Sequence, residues 1–368
     1  MAMMNRMIVA NLRRRPVRSL VSILAVAIEV TLILMIVGLT NGMVNDSRNR
    51  VAGIGADVVV RANSGSMFAQ LSGNTLPVQL ADVFARVPGV AAVAPVAYHI
   101  NGAIQTVSGV DLRAFDAVSG GFRFLKGRAF TPGTHEVIID DLQAASNHVA
   151  VGQSITLMGE PFTVVGIFEH GMGSRIFMSL DMLDQLAGSP GKAATFYIKL
   201  EPGASTTTVV AALRKLVPAE TVDSIAQYLS LFTSSKISPA LPIFQRVMVG
   251  IAVAIGFLVI FLSLYTTVLE RTREIGILKS LGASRSYIIQ AIVRESEMLA
   301  GLGVVAGAAI SYGLWRGLAQ LYPTLTIQLT WTWVGWAAVI ALGSSAIGAL
   351  YPALKAASQD AISALAYE

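Results

Sequence analysis

Side chains able to perform catalysis are few in this chain, and their spacing matches no site that we could recognise. The sequence contains no cysteine, which excludes disulfides, thiolate metal sites and a cysteine nucleophile. No HExxH-type spacing and no GxSxG motif occurs among its histidines and serines. The four histidines are His99, His135, His148 and His170.

Two further candidates for chemistry are weak. Asp140 and Asp141 are adjacent, so on a strand they would point to opposite faces and could not act as an acid and base pair. They are interpreted as the end of a strand. The segment 188–192 (GSPGK) lacks the first glycine and the Ser or Thr of a phosphate loop, which indicates a turn. The sequence therefore predicts no catalytic, metal or cofactor site, and a chain that is not itself an enzyme.

Glu29 is the one charged residue inside the apolar runs of the sequence. A carboxylate near the middle of a membrane span costs about 2.5 kcal/mol or more unless it is protonated or partnered. Glu29 is therefore a candidate intramembrane functional residue. The favoured interpretation is a carboxyl that is hydrogen-bonded to a neighbouring helix, and the alternative is coupling to a proton gradient.

The segment 269–294 is short and charged, and it separates two long apolar runs. Ile275, Leu278 and Leu281 are spaced three apart, which is helical spacing, and Gly282 offers a stop. A second helical pattern begins after Ser284. The sequence thus predicts a bent pair of helices, the elbow, whose apolar stripe needs a partner surface. The alternative is that the stripe packs on its own protein.

The composition that surrounds this segment is that of a membrane protein. The chain has 368 residues, of which 54% are hydrophobic and 13% charged, with a mean hydropathy of +0.63. A soluble domain usually has about 25% charged residues. Four apolar runs have roughly the 20 residues that cross a hydrocarbon core of about 30 Å. These runs are 20–39, 247–269, 298–315 and 331–354.

Basic residues indicate the orientation. Arginines precede the first run and others fill the elbow, whereas the segment between the first two runs is close to neutral. The positive-inside rule then predicts that both termini and the elbow are cytoplasmic and that the central segment is outside. The basic charge follows the membrane boundaries without interleaved aromatic residues, so no nucleic-acid partner is predicted.

We divide the chain into four parts. Residues 1–18 are predicted to form a cytoplasmic interfacial helix, and 19–43 the first transmembrane helix, a retained anchor rather than a cleavable signal peptide. Residues 44–242 are predicted to form an extracytoplasmic α/β domain. Residues 243–368 hold spans two to four and the elbow. The fold class is a membrane protein with four transmembrane α-helices and a large mixed α/β domain between the first two.

Local patterns add detail to the central domain. Strands are predicted at 57–61, 90–100, 136–140, 153–158, 161–168 and 194–200, and helices at 80–86, 180–186 and 206–216. The turn at 158–160 predicts a hairpin, and Pro239 and Pro242 predict a hinge towards the membrane. In the third span Gly303 and Gly307 form a GxxxG pattern, which predicts close helix packing within or between subunits.

Several segments resemble one family. The elbow ERTREIGILKSLGASRSYI, the opening NLRRRPVRSLVSILAVAI, the stretch EVIIDDLQAASNHVAVGQSITLMGEPFTVVGIFEHG and the closing YPALKAA are similar to MacB/FtsX-type ABC transporter permeases. The C-terminal SQDAISAL departs from the family because it lacks the common Asp-Pro. The printed sequence contains no ATPase domain, as in the stand-alone permeases of the DevC, LolC and LolE kind, so the resemblance predicts an ATPase on a separate polypeptide.

This resemblance implies a mechanism. Two permeases, identical or paralogous, would form a dimer in the inner membrane, and each would contact a cytoplasmic ABC ATPase that binds ATP and Mg. Hydrolysis would change the shape of the extracytoplasmic domain, a mechanotransmission that exports or extracts a lipid, lipoprotein, hydrophobic drug or peptide. Membrane lipid, and a periplasmic adaptor with an outer-membrane channel, are further implied partners. The residues predicted to form or brace the ATPase contact are Arg271, Arg273, Glu274, Ile275, Leu278, Leu281, Gly282 and Arg285.

Two other function classes stay open. An FtsX-like regulatory permease would use the same motion to activate a cell-wall hydrolase. The central domain of about two hundred residues favours export over this alternative. A membrane-anchored extracytoplasmic enzyme is disfavoured because the sequence carries no catalytic constellation.

Overall fold

The computed structural model describes residues 16–63, 75–102, 105–233 and 240–359. The chain divides into two compact units. The helical unit comprises Met1–Asn41, Pro242–Leu318 and Ile327–Glu368, and the α/β unit comprises Gly42–Leu241 with Ala319–Thr326. The predicted interfacial helix at 1–18 falls almost wholly on residues outside the described ranges.

Four helices of the described ranges are long and apolar enough to cross a membrane. They are α1 (Pro16–Gly53), α8 (Ala240–Glu270), α10 (Arg285–Leu321) and α11 (Trp331–Ser358). A helix satisfies all of its backbone hydrogen bonds internally, which is what an apolar run needs in lipid. Each of the four predicted apolar runs lies on one of these helices. The first helix continues ten residues beyond 43, where the sequence pattern placed the end of the span.

The helical unit has a core made chiefly of small and β-branched residues. Val26, Val30 and Ile33 of α1 are fully buried there, together with Ile260 of α8 and Ala300 of α10. Small residues allow the helix backbones to approach closely, and van der Waals packing then holds helices together in lipid.

The hinge predicted at Pro242 stays a prediction, and the division between the two units falls at this residue. Pro242 lies in the first turn of α8, and the helix runs through it. Proline is tolerated there because the first N–H groups of a helix have no intrahelical acceptor. Pro239 lies outside the described residues.

The α/β unit is built on one large sheet. Its described strands are β1 (Val58–Arg61), β3 (Val90–Asn101), β4 (Gln105–Val110), β5 (Phe124–Gly127), β6 (Glu136–Asp140), β7 (Ser154–Leu157), β8 (Glu160–Phe168), β9 (Ile176–Ser179), β11 (Thr195–Leu200) and β12 (Thr221–Ser224). The strand order is β12-β1-β11-β3-β4-β9-β6-β8-β5, and β7 pairs with β8. The pairs β4–β9 and β6–β8 are parallel and the others antiparallel, so the sheet is mixed. A separate pair joins β2 (Leu76–Pro77) to β10 (Lys192–Ala193).

Short helices cover this sheet. They are α2 (Leu80–Ala85), α3 (Leu112–Ser119), α4 (Asp141–Asn147), α5 (Leu180–Leu186), α6 (Thr206–Leu216) and α7 (Ile225–Thr233). Near one end of the sheet Phe84 of α2 and Leu213 of α6 pack with Phe196 of β11. Elsewhere Phe115 of α3 packs with Phe177 of β9, and their ring centroids are 5.4 Å apart.

The predicted strands and helices of this unit are confirmed to within one or two residues at their ends. The predicted hairpin is confirmed as well, because Leu157 pairs with Glu160 across a two-residue turn. Both turn residues have positive φ, 54° at Met158 and 87° at Gly159, as in the type I′ turns that match the strand twist. Asp140 ends β6 and caps α4 by accepting a hydrogen bond from the Gln143 N–H at 2.6 Å, so the two aspartates do mark a strand end.

Candidate functional site

The predicted elbow is present as two helices that meet at a glycine. Helix α8 ends before Arg271, and a second helix, α9 (Thr272–Ser280), follows it directly. Gly282 has φ of +89°, a conformation that costs an L-residue strain and that glycine adopts freely. The Ser284 hydroxyl then accepts a hydrogen bond from the Tyr287 N–H at 3.2 Å at the start of α10. The sequence thus encodes the bend through one stop residue and one cap residue.

The apolar stripe of the elbow is divided between two environments. Ile275 is buried in a small cluster with Val268, Ile288 and Ala356. Leu278 is half-buried, and Leu281 is 79% exposed. Ile277, which the three-residue spacing left beside the stripe, is also exposed, at 45%. The inner part of α9 therefore fixes the helix to its own protein, and the outer part presents two large apolar side chains.

Ion pairs hold α9 on its inner side. The Arg271 side chain is 14% exposed, and its Nη1 lies 3.6 Å from the Glu295 carboxylate of α10. Its Nε also lies 4.0 Å from Glu274, whose side chain is 68% exposed. Arg273 is exposed beside it. A buried Arg–Glu pair resists separation, because removing one partner leaves the other charge buried and uncompensated.

A lysine joins the elbow to the last helix. The Lys279 ammonium donates hydrogen bonds to the carbonyl of Ala357 at 2.9 Å and to that of Gln359. These carbonyls are among the last of α11, where a cation also interacts favourably with the helix dipole. Movement of α9 is thus resisted by contacts with both α10 and α11.

Arg285 occupies a different place from the other predicted coupling residues. It lines an open cleft of about 550 Å³ together with Ile289, Tyr351, Leu354 and Lys355. Six of the eight predicted coupling residues fall into three groups: Arg271 and Ile275 on the braced side, Leu281, Arg273 and Glu274 on the exposed side, and Arg285 in the cleft. Of the other two, Leu278 is half-buried and Gly282 forms the bend.

Glu29 is buried at 1% exposure in the core of the helical unit. The Ser344 hydroxyl of α11 donates a hydrogen bond to its Oε1 at 3.1 Å. Its Oε2 has no hydrogen-bond partner among the described residues and lies against Gly256 of α8, where an added Cβ would come within 1.8 Å of it. A larger residue at 256 would therefore force the Glu29 carboxyl to shift.

Gly303 and Gly307 lie where α10 crosses α1. A Cβ at Gly303 would lie 2.5 Å from the Val26 Cβ, and one at Gly307 would lie 2.7 Å from the Ala27 carbonyl oxygen. The Thr31 hydroxyl also contacts the Gly307 carbonyl at 3.2 Å. These glycines allow the two helices to touch through their backbones.

Some residues of this site were not found from the sequence. The exposure of Ile277, the Glu295 partner of Arg271 and the role of Gly256 all depend on which helices are neighbours. A Glu at a span boundary and a Gly inside a span were the available signals, and both are common in membrane proteins.

The four long helices and the α/β domain that follows the first of them make this chain a multi-pass membrane protein. The family model described as "MacB-like periplasmic core domain" matches residues 19–216, and the one described as "FtsX-like permease C-terminal" matches residues 246–361. The chain belongs to the MacB/FtsX-type permeases of ABC transporters.

Several individual proteins are similar to this chain. The "Macrolide export ATP-binding/permease protein MacB" of Acinetobacter baylyi is 23% identical over 99% of this chain and 59% of its own length. The "Uncharacterized ABC transporter permease YknZ" of Bacillus subtilis is 37% identical over 32% of this chain and 30% of its own length. The periplasmic region of MacB from Actinobacillus actinomycetemcomitans, a solved structure, is 14% identical with a TM-score of 0.39, and the match covers 50% of this chain and 95% of that one.

The chain spans between about a third and three fifths of the length of the MacB relatives that it matches. The MacB of Hyphomonas neptunium, for example, is 28% identical over 63% of this chain and 37% of its own length. The names of these relatives combine ATP binding and permease in one protein.

Proposed function

We propose that the chain is the permease subunit of an ABC transporter and couples ATP hydrolysis on a cytoplasmic ATPase subunit to movement of its extracytoplasmic α/β domain. This movement drives export or extraction of a hydrophobic or lipid-linked substrate, such as a lipid, lipoprotein, drug or peptide. ATP and Mg bind to the ATPase subunit, and the permease has no catalytic role.

The observation that carries this proposal is the division of the elbow. Leu281 and Ile277 are exposed beside the charged Arg273 and Glu274, whereas Ile275 anchors the same short helix. Exposed apolar residues with a charged rim are typical of protein contact surfaces. The ion pair to Glu295 and the Lys279 bonds to α11 mean that a force applied to α9 acts on two spans at once. The exposed side of α9 can therefore bind the ATPase, and its attachment to α10 and α11 can transmit a movement of the ATPase to these two helices.

Orientation and assembly complete the proposal. The elbow and both termini are cytoplasmic, in the inner membrane, and the α/β domain lies on the other side. A second copy or a paralogue of the permease completes a dimer with two ATPase subunits. Several relatives are named as macrolide export proteins. We include a periplasmic adaptor and an outer-membrane channel in the proposal as further partners for export.

Replacement of Leu281 by Asp tests the coupling surface. The Leu281 side chain is 79% exposed, so Leu281→Asp should leave membrane insertion and thermal unfolding unchanged. A charge placed in the apolar centre of a protein contact is poorly tolerated, and we expect loss of the stimulation that the permease gives to the ATPase that co-purifies with it. The measurement is ATP hydrolysis by the complex in lipid nanodiscs.

The control is Leu216→Asp, the same substitution at a leucine of α6 that is 49% exposed in the α/β domain. This variant should keep full stimulation. If Leu281→Asp stimulates hydrolysis as well as the parent does, the elbow is not the coupling surface. If no ATPase co-purifies with the parent chain, the proposed function itself is contradicted.

A further inference from the structure

A group of charged side chains within the α/β unit joins three parts of the chain. At its centre Arg175 precedes β9, and its side chain is 11% exposed. Its Nη1 lies 2.9 Å from the Asp140 carboxylate, and its Nη2 lies 3.1 Å from the Asp46 carboxylate. The same Nη2 contacts the Thr324 carbonyl oxygen at 3.4 Å. One guanidinium thus contacts helix α1, strand β6 and the segment Ala319–Thr326, which begins in the last turn of α10 and continues towards α11.

The contact to α1 is supported by close backbone packing. Gly53, the last residue of the helix, lies so near the Gly171 carbonyl that an added Cβ would come within 1.9 Å of its oxygen. The Gly173 N–H donates to the Arg50 carbonyl at 2.8 Å. The end of α1 is therefore held by the loop that leads directly to Arg175.

Arg175 contacts Asp140 of the sheet through its backbone as well as through its side chain. Asp140 is fully buried, and its backbone N–H donates to the Arg175 carbonyl at 2.8 Å. Its Oδ2 accepts from the guanidinium, while its Oδ1 accepts from the Gln143 N–H at the start of α4. Arg175 is thus linked to two adjacent strands and, through Asp140, to a helix.

We propose that Arg175 is the positioning residue that holds the end of α1 and the Ala319–Thr326 segment to the sheet, so that displacement of these segments moves β6 and β9. This inference rests on the proposed function, because it assigns the place where motion of the spans enters the α/β domain. Helix α1 is one continuous helix from Pro16 to Gly53, and the Ala319–Thr326 segment joins two spans. Both are therefore the segments that a change in the helical unit would displace.

The chemistry requires arginine at this position. The planar fork of a guanidinium directs separate N–H groups at two carboxylates and a carbonyl, whereas an ammonium is a compact point charge. Asp46 also lies 3.4 Å from Arg50 Nε, one turn along α1, so the same carboxylate is close to two arginines. Lysine at 175 keeps the charge but loses this simultaneous contact.

The test uses the full permease with its co-purifying ATPase in nanodiscs. Because the chain has no cysteine, spin labels can be placed at Leu125→Cys in the α/β domain and Trp331→Cys in the helical unit, which are 52% and 90% exposed. Pulsed electron paramagnetic resonance spectroscopy then measures the distance between the two spin labels with and without a trapped nucleotide. We expect the parent to show a nucleotide-dependent change that Asp46→Asn and Arg175→Lys abolish, while both variants still hydrolyse ATP. A purely structural role would lower both readouts together.

Asp46→Asn is the milder variant, because it preserves the shape of the side chain and leaves the Arg175–Asp140 pair intact. The matched control is Arg123→Met, which removes an arginine paired with Glu169 at 2.8 Å on the surface of the same domain. Arg123→Met should change neither readout. A nucleotide-dependent distance change of parental size in both Asp46→Asn and Arg175→Lys would overturn the proposal.

A second measurement separates this inference from the proposed function. If the parent itself shows no nucleotide-dependent change, the proposed function fails. A double-mutant cycle of Asp46→Asn and Arg175→Met in equilibrium unfolding then decides whether Arg175 holds α1. Non-additive effects support the contact, and additive effects overturn it.

Discussion

We expect alanine to change the free energy of unfolding in opposite directions at two glycines of helix α10, Gly307 and Gly301. A Cβ at Gly307 would lie 2.7 Å from the Ala27 carbonyl oxygen and 2.8 Å from the Val30 Cβ, whereas a Cβ at Gly301 would meet none of the described residues within 4 Å. Real Cβ atoms do not approach other atoms so closely, so Gly307→Ala must push α1 and α10 apart. Overpacking of this kind costs about 1–3 kcal/mol.

Gly301→Ala should have the opposite sign. Replacing a helical glycine by alanine where there is space stabilises a helix by about 0.5–1 kcal/mol, since the alanine backbone has less freedom to lose. We therefore expect the two variants to differ in unfolding free energy by about 2 kcal/mol or more. Equilibrium unfolding of the purified permease in mixed micelles measures this difference.

A third variant controls for contacts between copies of the chain. Within the part of the chain that the structure describes, Gly343 of α11 also has nothing within 4 Å of an added Cβ, and Gly343→Ala should behave as Gly301→Ala does. If Gly307→Ala proves as stable as the two controls, α1 and α10 do not pack through Gly307. The close approach described for the helical core would then be refuted.

Three further predictions concern carboxyl groups. Glu29→Gln should unfold within about 1 kcal/mol of the parent in the same assay, because the amide oxygen can accept the Ser344 hydrogen bond without carrying a charge; a large loss of stability would show that the charge is needed. Burial raises the pKa of Asp184 to about 6, so its carboxyl lowers stability as the pH rises from about 4 to 6. Asp184→Asn should therefore be more stable than the parent at pH 7.5, by about 1–2 kcal/mol, with the gain fading near pH 4 in urea unfolding; a gain that is independent of pH would contradict this. Hydrogen bonding to Arg128 lowers the pKa of Glu136 to about 2, so its stabilising effect is complete above about pH 4.5 and is lost as the pH falls towards 2. The stability difference between the parent and Glu136→Gln should shrink over that range of pH, and a constant difference would argue against the ion pair.

Local patterns predicted much of this fold. Runs of apolar residues with the length of a bilayer indicated the four long helices, and β-branched segments bounded by glycine indicated the central strands. The bend at Gly282 followed from a single stop residue. These features depend on neighbouring residues in the chain, which a sequence displays directly.

Features that depend on distant partners could not be predicted. The spacing of Ile275 and Leu281 places both on a helical face, but Val268 and Ala356 decide which of them is covered. Glu29 accepts a hydrogen bond from Ser344, which is 315 residues away in the chain. The sequence did not indicate that Pro242 lies inside a helix, because the effect of a proline depends on how many residues precede it within that helix.

The two ends of the large sheet have a consequence for the protein at high local density. Strand β5 is four residues long, carries Lys126 and shifts register against β8, and β12 at the other end is equally short. Asp223 of β12 is held by Arg61 and Arg214. Brief, charged and irregular borders offer a poor template for a strand from a neighbouring molecule. In permeases concentrated in one membrane, these borders therefore disfavour joining of the α/β domains of neighbouring molecules into one shared sheet.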